Sequence, residues 1–179
     1  MLFPSMELGQ VYFYTATILK WQPLLAQDKY KEIIIESLNY LSKKQKIAVY
    51  AFVLMPNHIH LIWEMLAKNG KEMPHASFMK YTAHQFLEDL RLHHQKVLPY
   101  FEVEGKADRQ HQFWERNSLP IVLYSPAVFE QKLQYIHHNP IAKKWALVED
   151  YVDYRYSSAK FYELGIDEFG FLQDYRERI

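Results

Sequence analysis

Two histidines two residues apart, His58 and His60, carry the first chemical signal in this chain. They follow Met55-Pro56-Asn57, a turn signal, because proline presets its own backbone angle and asparagine tolerates turn geometry. The flanking runs, Ile47 to Met55 and His58 to Met65, read as the two strands of a hairpin. Alternation along the second strand puts His58, His60, Ile62 and Glu64 on one face and Ile59, Leu61, Trp63 and Met65 on the other. Two imidazoles side by side can grip a divalent cation, since neutral imidazole is a common metal ligand. A turn histidine beside a half-buried one would give the same pattern, and a bare His-x-His often arises by chance.

A second set lies far downstream. Ser125-Pro126 is a strong helix start, with a capping serine followed by proline at the first helical position. The helix is expected to run to about Asn139, where it meets Pro140. Tyr135 and Asn139 are four apart and share a face, with Gln131 and His138 near the same stripe. Phe129, Leu133 and Ile136 form a separate apolar stripe for packing. A boundary tyrosine and a helix-terminal asparagine would also account for the pair. Proline disfavours helical angles at the residue before it, which would move Asn139 off the ideal face.

Taken together, these groups suggest one chemistry. Two histidines and an amide oxygen can hold Mg²⁺ or Mn²⁺ with open positions, and such a cation polarises a phosphate oxygen. A nearby tyrosine can attack phosphorus and form a covalent intermediate. The phosphoester energy is then retained, so strand cleavage is reversible and another 3′-hydroxyl can rejoin the strand.

The elements that must position these groups follow in chain order. Gln10 to Leu19 is rich in β-branched and aromatic residues and reads as a strand. Asp28 to Ser42 reads as a helix, with Tyr30, Ile34, Leu38 and Leu41 at helical spacing. Ile47 to Met55 is apolar on both faces, as expected of a central strand covered on both sides. Ala76 to about His93 reads as a second helix, with Phe78, Met79, Phe86, Leu87 and Leu90 inward and Lys80, His84 and Arg91 solvated. Pro99 to Arg109 is polar and irregular. Gln112 to Tyr124 reads as extended chain broken at Pro120, an edge strand. Ile141 to Val148 is expected to continue helically beyond a kink.

Strand, helix, strand, strand, helix, strand is the split βαβ pattern. It predicts an α+β, ferredoxin-like antiparallel sheet with two helices on one face and the tyrosine-bearing helix near the face that carries His58 and His60. Residues 1–9 are expected to be a lead-in, 10–162 one catalytic domain and 163–179 an acidic tail.

Composition bounds the function. The chain has 179 residues, enough for one domain, and no cysteine, which excludes disulfides and thiolate chemistry. There is no signal-peptide pattern, and the longest apolar run is too short to span a bilayer. A cytoplasmic protein without membrane contact is expected. Formal net charge is 0, which argues against nonspecific nucleic-acid binding by bulk charge. Residues 163–179 hold five acids and two bases, so the remainder is mildly basic at +3.

Four segments carry a family resemblance: Phe52-Val53-Leu54-Met55-Pro56-Asn57-His58-Ile59-His60-Leu61, Phe113-Trp114-Glu115-Arg116, Tyr135-Ile136-His137-His138-Asn139-Pro140 and Asp153-Tyr154-Arg155-Tyr156-Ser157-Ser158. In type, order and separation the chain resembles the single-tyrosine HUH transposases, and within them the REP-associated tyrosine transposases of IS200-like type. The resemblance covers roughly residues 10 to 162. It implies nicking and strand transfer of hairpin or palindromic single-stranded DNA through a 5′-phosphotyrosine. By that resemblance His58, His60 and Asn139 bind Mg²⁺ or Mn²⁺, and Tyr135 is the nucleophile. It also allows a homodimer in which tyrosine helices are exchanged. Lys80, Arg109, Arg116, Lys143 and Lys144 are candidates for phosphates, and Trp114 or Trp145 for base stacking. Two other functions fit the residues: a non-catalytic hairpin-binding module on the same fold, and a metal-dependent phosphodiesterase on small nucleotides. Ile62 stands where a triple-histidine hydrolase would place its third histidine.

Overall fold

The structure, a computed structural model, describes residues 5–104 and 110–179. Four strands, β1 (Val11–Thr17), β2 (Ile47–Leu54), β3 (His58–Met65) and β4 (Ile121–Val122), form one sheet in the order β2-β3-β1-β4. All neighbours are antiparallel. The helices α1 (Asp28–Lys43) and α2 (Pro74–His93) make the two crossovers. This is the ferredoxin-like α+β topology expected from the sequence. α3 (Pro126–His138) and the short α4 (Ala159–Leu164) follow.

Each sheet face has its own core. Tyr14, Ala16, Val49, Phe52, Ile59, Leu61 and Trp63 pack with Tyr30, Ile34, Leu38, Phe78 and Phe86 of α1 and α2. Phe13, Ala51, Val53 and Ile62 pack on the opposite side with Phe129, Leu133 and Ile136 of α3. The tyrosine helix therefore lies on the sheet face that carries the histidines. A bulge between Val49 and Ala51 turns Tyr50 towards this second face.

Three expectations need correction. β2 is covered on both faces but stands at the sheet edge, not its centre. Its open edge is occupied by distant chain: Ser157 bridges Val53, Leu172 bridges Val49, and Gln173 N donates to Val49 O. Such cover removes the exposed hydrogen-bonding edge that invites aggregation. The extended run from Gln112 contributes only Ile121–Val122 to the sheet, with Trp114 bridging Ile18. Beyond Pro140 the chain makes a 3₁₀ turn over Asn139–Ile141 and then tight turns, not more α-helix. Pro140 supplies no N–H to continue the ladder.

Residues 163–179 lie against the body of the domain. Phe171 is buried, and Arg178 forks onto Glu64 of β3, with Nε at 2.9 Å and Nη2 at 3.0 Å from its two oxygens. The Tyr50 hydroxyl donates to the same carboxylate at 2.8 Å. Burial would raise the Glu64 pKa, but the Arg178 and Tyr50 hydrogen bonds outweigh it and hold it below the usual value. Such a group adds stability above its unfolded pKa and loses it as pH falls through the folded one. Arg178→Ala is expected to cost about 1–3 kcal/mol at pH 7, because it strips a buried carboxylate of its charged donors. In urea unfolding, the gap from wild type should shrink on acidification below about pH 4.5.

Candidate active site

β3 pairs with β1 in a register that sets Thr17 opposite His58 and Thr15 opposite His60. All four side chains therefore share one sheet face, and all four line one cleft of about 750 Å³. Tyr135, His138 and Asn139 enter this cleft from α3 and the turn beyond it. The structure thus brings His58, His60, Tyr135 and Asn139 together within one chain.

The imidazoles sit with ring centres 4.8 Å apart. Tyr135 lies across His60 at 5.2 Å and 68°, yet its side chain remains 54% exposed. The phenol is therefore at the surface of the cleft and not part of the core. Asn139 is buried and keeps helical angles, φ −55° and ψ −45°, despite Pro140. Proline tolerates the first turn of a helix, and here it opens the 3₁₀ turn that continues from α3.

Hydrogen bonds orient both rings. His58 Nδ1 is 2.7 Å from Asn57 Oδ1, which can only accept, so Nδ1 carries the hydrogen and Nε2 the lone pair. His60 Nδ1 is 2.8 Å from the Thr15 hydroxyl. His60 Nε2 is buried and has no hydrogen-bond partner among the described residues. Burial, then the Lys144 charge, pushes the His58 pKa down to about 4. Burial, then His58 and Lys132, pushes His60 down to about 3. Both rings are neutral at pH 7 and offer lone pairs.

These features suit a divalent cation. Among the described residues, no three His, Cys, Asp or Glu side chains converge as a metal cage. The two imidazoles and the Asn139 amide are among the groups lining the cleft that could ligate a cation, as are His138 and Asn117.

α3 is fixed by more than its apolar stripe. Ser125 caps it by accepting from Val128 N at 3.3 Å. His137 is buried, and its Nε2 lies 2.9 Å from Ser158 Oγ. Ser158 accepts from Phe52 N and donates to Phe52 O, so the His137 N–H is the donor in their bond. Tyr154 donates to Leu54 O and Tyr156 to Glu32. The segment Asp153 to Ser158 thus ties the tyrosine helix and the β2 edge together.

Of the basic and aromatic candidates, Lys144 and Trp145 line the cleft. Lys80 pairs with Glu72 on the far side of the sheet. Arg116 bonds Gln112, Lys143 is exposed, and neither lines the cleft. Arg109 lies outside the described residues. Trp114 is buried in the core under α2 and donates to Thr82, which removes it as a stacking surface. Phe13, Thr15, Thr17, Trp21 and Lys132 also line the cleft, and sequence reasoning missed them. The alternation of Thr15 with Thr17, and the spacing of Lys132 one turn before Tyr135, were the available signals.

No family model matches the sequence, and no curated protein matches it. Among solved structures, the chain resembles a REP-associated tyrosine transposase bound to a REP hairpin, with TM-score 0.60 and 17% identity over 96% of this chain and 90% of that one. A second match is a candidate transposase from Deinococcus radiodurans, with TM-score 0.42 and 14% identity over 76% of this chain and 95% of that one. The first likeness shows that this chain has the fold of a REP-associated tyrosine transposase. Among the described residues no helix is long and apolar enough to cross a membrane.

His58, His60 and His137 all have lowered pKa values, with His137 at about 4 chiefly through burial. The unfolded chain therefore binds more protons below about pH 6.5, and stability falls as pH drops through that region. The expected slope is up to about 1.4 kcal/mol per pH unit for each histidine. Urea unfolding of metal-free protein between pH 7 and pH 5 should show it, and His60→Ala should flatten it.

Proposed function

We propose that this chain is a divalent-metal-dependent enzyme of the cytoplasm that nicks and rejoins single-stranded DNA at hairpin or palindromic sites. The observation that carries the proposal is an exposed phenol, Tyr135, lying over a neutral histidine pair in one cleft. The fold shared with a transposase supports it. His58 Nε2, His60 Nε2 and the Asn139 amide oxygen would hold Mg²⁺ or Mn²⁺. When bound, the cation polarises a phosphate oxygen and stabilises the charge that develops there.

The Tyr135 oxygen attacks phosphorus as the bond from phosphorus to O3′ breaks. The phenol proton ends, in balance, on the freed 3′-hydroxyl. The strand is then joined to Tyr135 through its 5′-phosphate, and another 3′-hydroxyl can reverse the step. Lys132 and Lys144, both on the cleft wall, meet phosphates as point charges. The groups assigned roles here line one cleft of a single chain.

With Mn²⁺ and a labelled hairpin oligonucleotide, the protein is expected to form an adduct that survives a denaturing gel. Tyr135→Phe should form none while still binding DNA. An adduct in that variant rules out the nucleophile assigned here. Binding indifferent to chelator, with no cleavage under any metal, would instead point to a non-catalytic hairpin-binding module.

A second outcome tests the metal ligands through their support. Thr15 bonds His60 Nδ1, and loss of such an outer partner typically weakens metal affinity by about 10–100-fold. Thr15→Val should therefore lower Mn²⁺ affinity to that degree, as read by calorimetric titration, with thermal stability largely kept.

A further inference from the structure

Trp21 and Trp145 both stand on the cleft wall beside His58, with ring centres 6.4 Å and 5.6 Å from its imidazole. The Lys144 ammonium lies 5.8 Å from the Trp21 ring centre and 5.1 Å from that of Trp145. Trp21 is 59% exposed, an uncommon state for the largest apolar side chain. It stands on a strained stretch of backbone. Lys20 and Trp21 have φ of 52° and 58°, and Ala146, next to Trp145, has φ of 44°. Residues other than glycine are strained there and persist only where the surroundings over-determine them.

The surroundings do so here. Trp21 N donates to Ile18 O at 2.9 Å, Lys20 N to Glu115 Oε1 at 2.6 Å, and Asn57 Nδ2 to Trp21 O at 3.4 Å. Asn57 is also the residue that orients His58, so one side chain ties Trp21 to the histidine pair. On the other side, Trp145 N and Ala146 N both donate to Ala142 O, and Leu147 N donates to Pro140 O.

We infer that Trp21, Trp145 and Lys144 form a clamp for one unpaired nucleobase beside the phosphate that Tyr135 attacks. The inference rests on the proposed DNA-processing function and goes further by naming a subsite. The ligand must be flat, with a π face for an indole, and must carry an anion within reach of an ammonium. A phosphate alone would not use the indole faces, and an aliphatic group would not use the lysine. A paired base has its faces covered by its stacked neighbours, so the base must be out of the helix. It takes the indole face, and Lys144 leaves the rings for the adjoining phosphate. Every base has a π face, so the clamp selects for lack of pairing rather than for sequence.

The test uses full-length Tyr135→Phe protein with Mn²⁺, which should bind without cutting. The probes are hairpin oligonucleotides with single-stranded flanks, each with one abasic site, read by fluorescence anisotropy. One abasic position should weaken binding roughly five- to hundredfold, the range found when a stacking aromatic is removed. Adding Trp21→Ala or Trp145→Ala should weaken binding to the intact probe similarly and abolish the effect of that abasic site, the coupling a double-mutant cycle detects. Trp21→Phe should restore it, which separates stacking from misfolding. A flat abasic scan, or an equal abasic effect in the alanine variants, overturns the clamp. If the Tyr135 adduct still forms, only the clamp falls. If the scan succeeds without any adduct in the parent protein, the strand-transfer function falls and the base site stands. Absence of all DNA binding overturns both.

Discussion

The structure depends first on the register of one antiparallel strand pair, β1 with β3. That pairing sets Thr15 and Thr17 beside His60 and His58 and leaves Ile59, Leu61 and Trp63 to the helix-side core. Strand side chains alternate, so a slip of one residue would exchange the two sets. Trp63 and Leu61, both fully buried, would face the cleft, and two imidazoles would enter a core with no partners for them. Neither face could accept the exchange, so the hydrophobic pattern that folds the sheet also aims the histidines. Asn57 tightens this further, since it orients His58 and holds the turn that carries Trp21.

A second constraint acts across a long stretch of chain. α3 presents Tyr135 outward only if Phe129, Leu133 and Ile136 stay on the sheet. An apolar stripe alone tolerates rotation about the helix axis, whereas a buried hydrogen bond has a direction. The bond from His137 to Ser158 supplies that direction, and Ser158 is itself held by both backbone groups of Phe52. Tyr135 and His137 leave the helix in different directions, so fixing one in the interior fixes the other at the cleft.

Much of this was legible in the sequence, for identifiable reasons. Strand alternation and helical stripes are local, so β1 to β3, α1, α2 and α3 were readable, as were the shared face of His58 and His60 and that of Tyr135 and Asn139. What failed was decided at long range. β2 has an apolar strand's composition on both faces, but the pairing of β3 with β1 leaves it at the edge, which Tyr156, Ser158 and Gln173, more than a hundred residues away, then cover. Trp114 and Trp21 look alike as residues, yet one packs against Phe86 and bonds Thr82 in the core while the other is exposed on a left-handed stretch of backbone. The partners of the histidines could not be found without the β1 register, because alternation forbids a one-residue slip but not a slip of two.

The formal charge of 0 conceals a local asymmetry that bears on the chemistry. Lys144 and Lys132 are among the causes that depress the pKa values of His58 and His60, after burial itself. On the proposed function, the positive field that adds to burial in lowering these pKa values would also favour an incoming phosphate. Bulk charge would attract any polyanion, whereas Lys132 and Lys144, half-buried and exposed respectively on the cleft wall, act within about a Debye length, some 8–10 Å. A neutral chain can thus hold a cationic cleft without the nonspecific binding of a strongly basic one. On the proposed function, that would confine productive contact to strands whose bases and phosphates fit the cleft together.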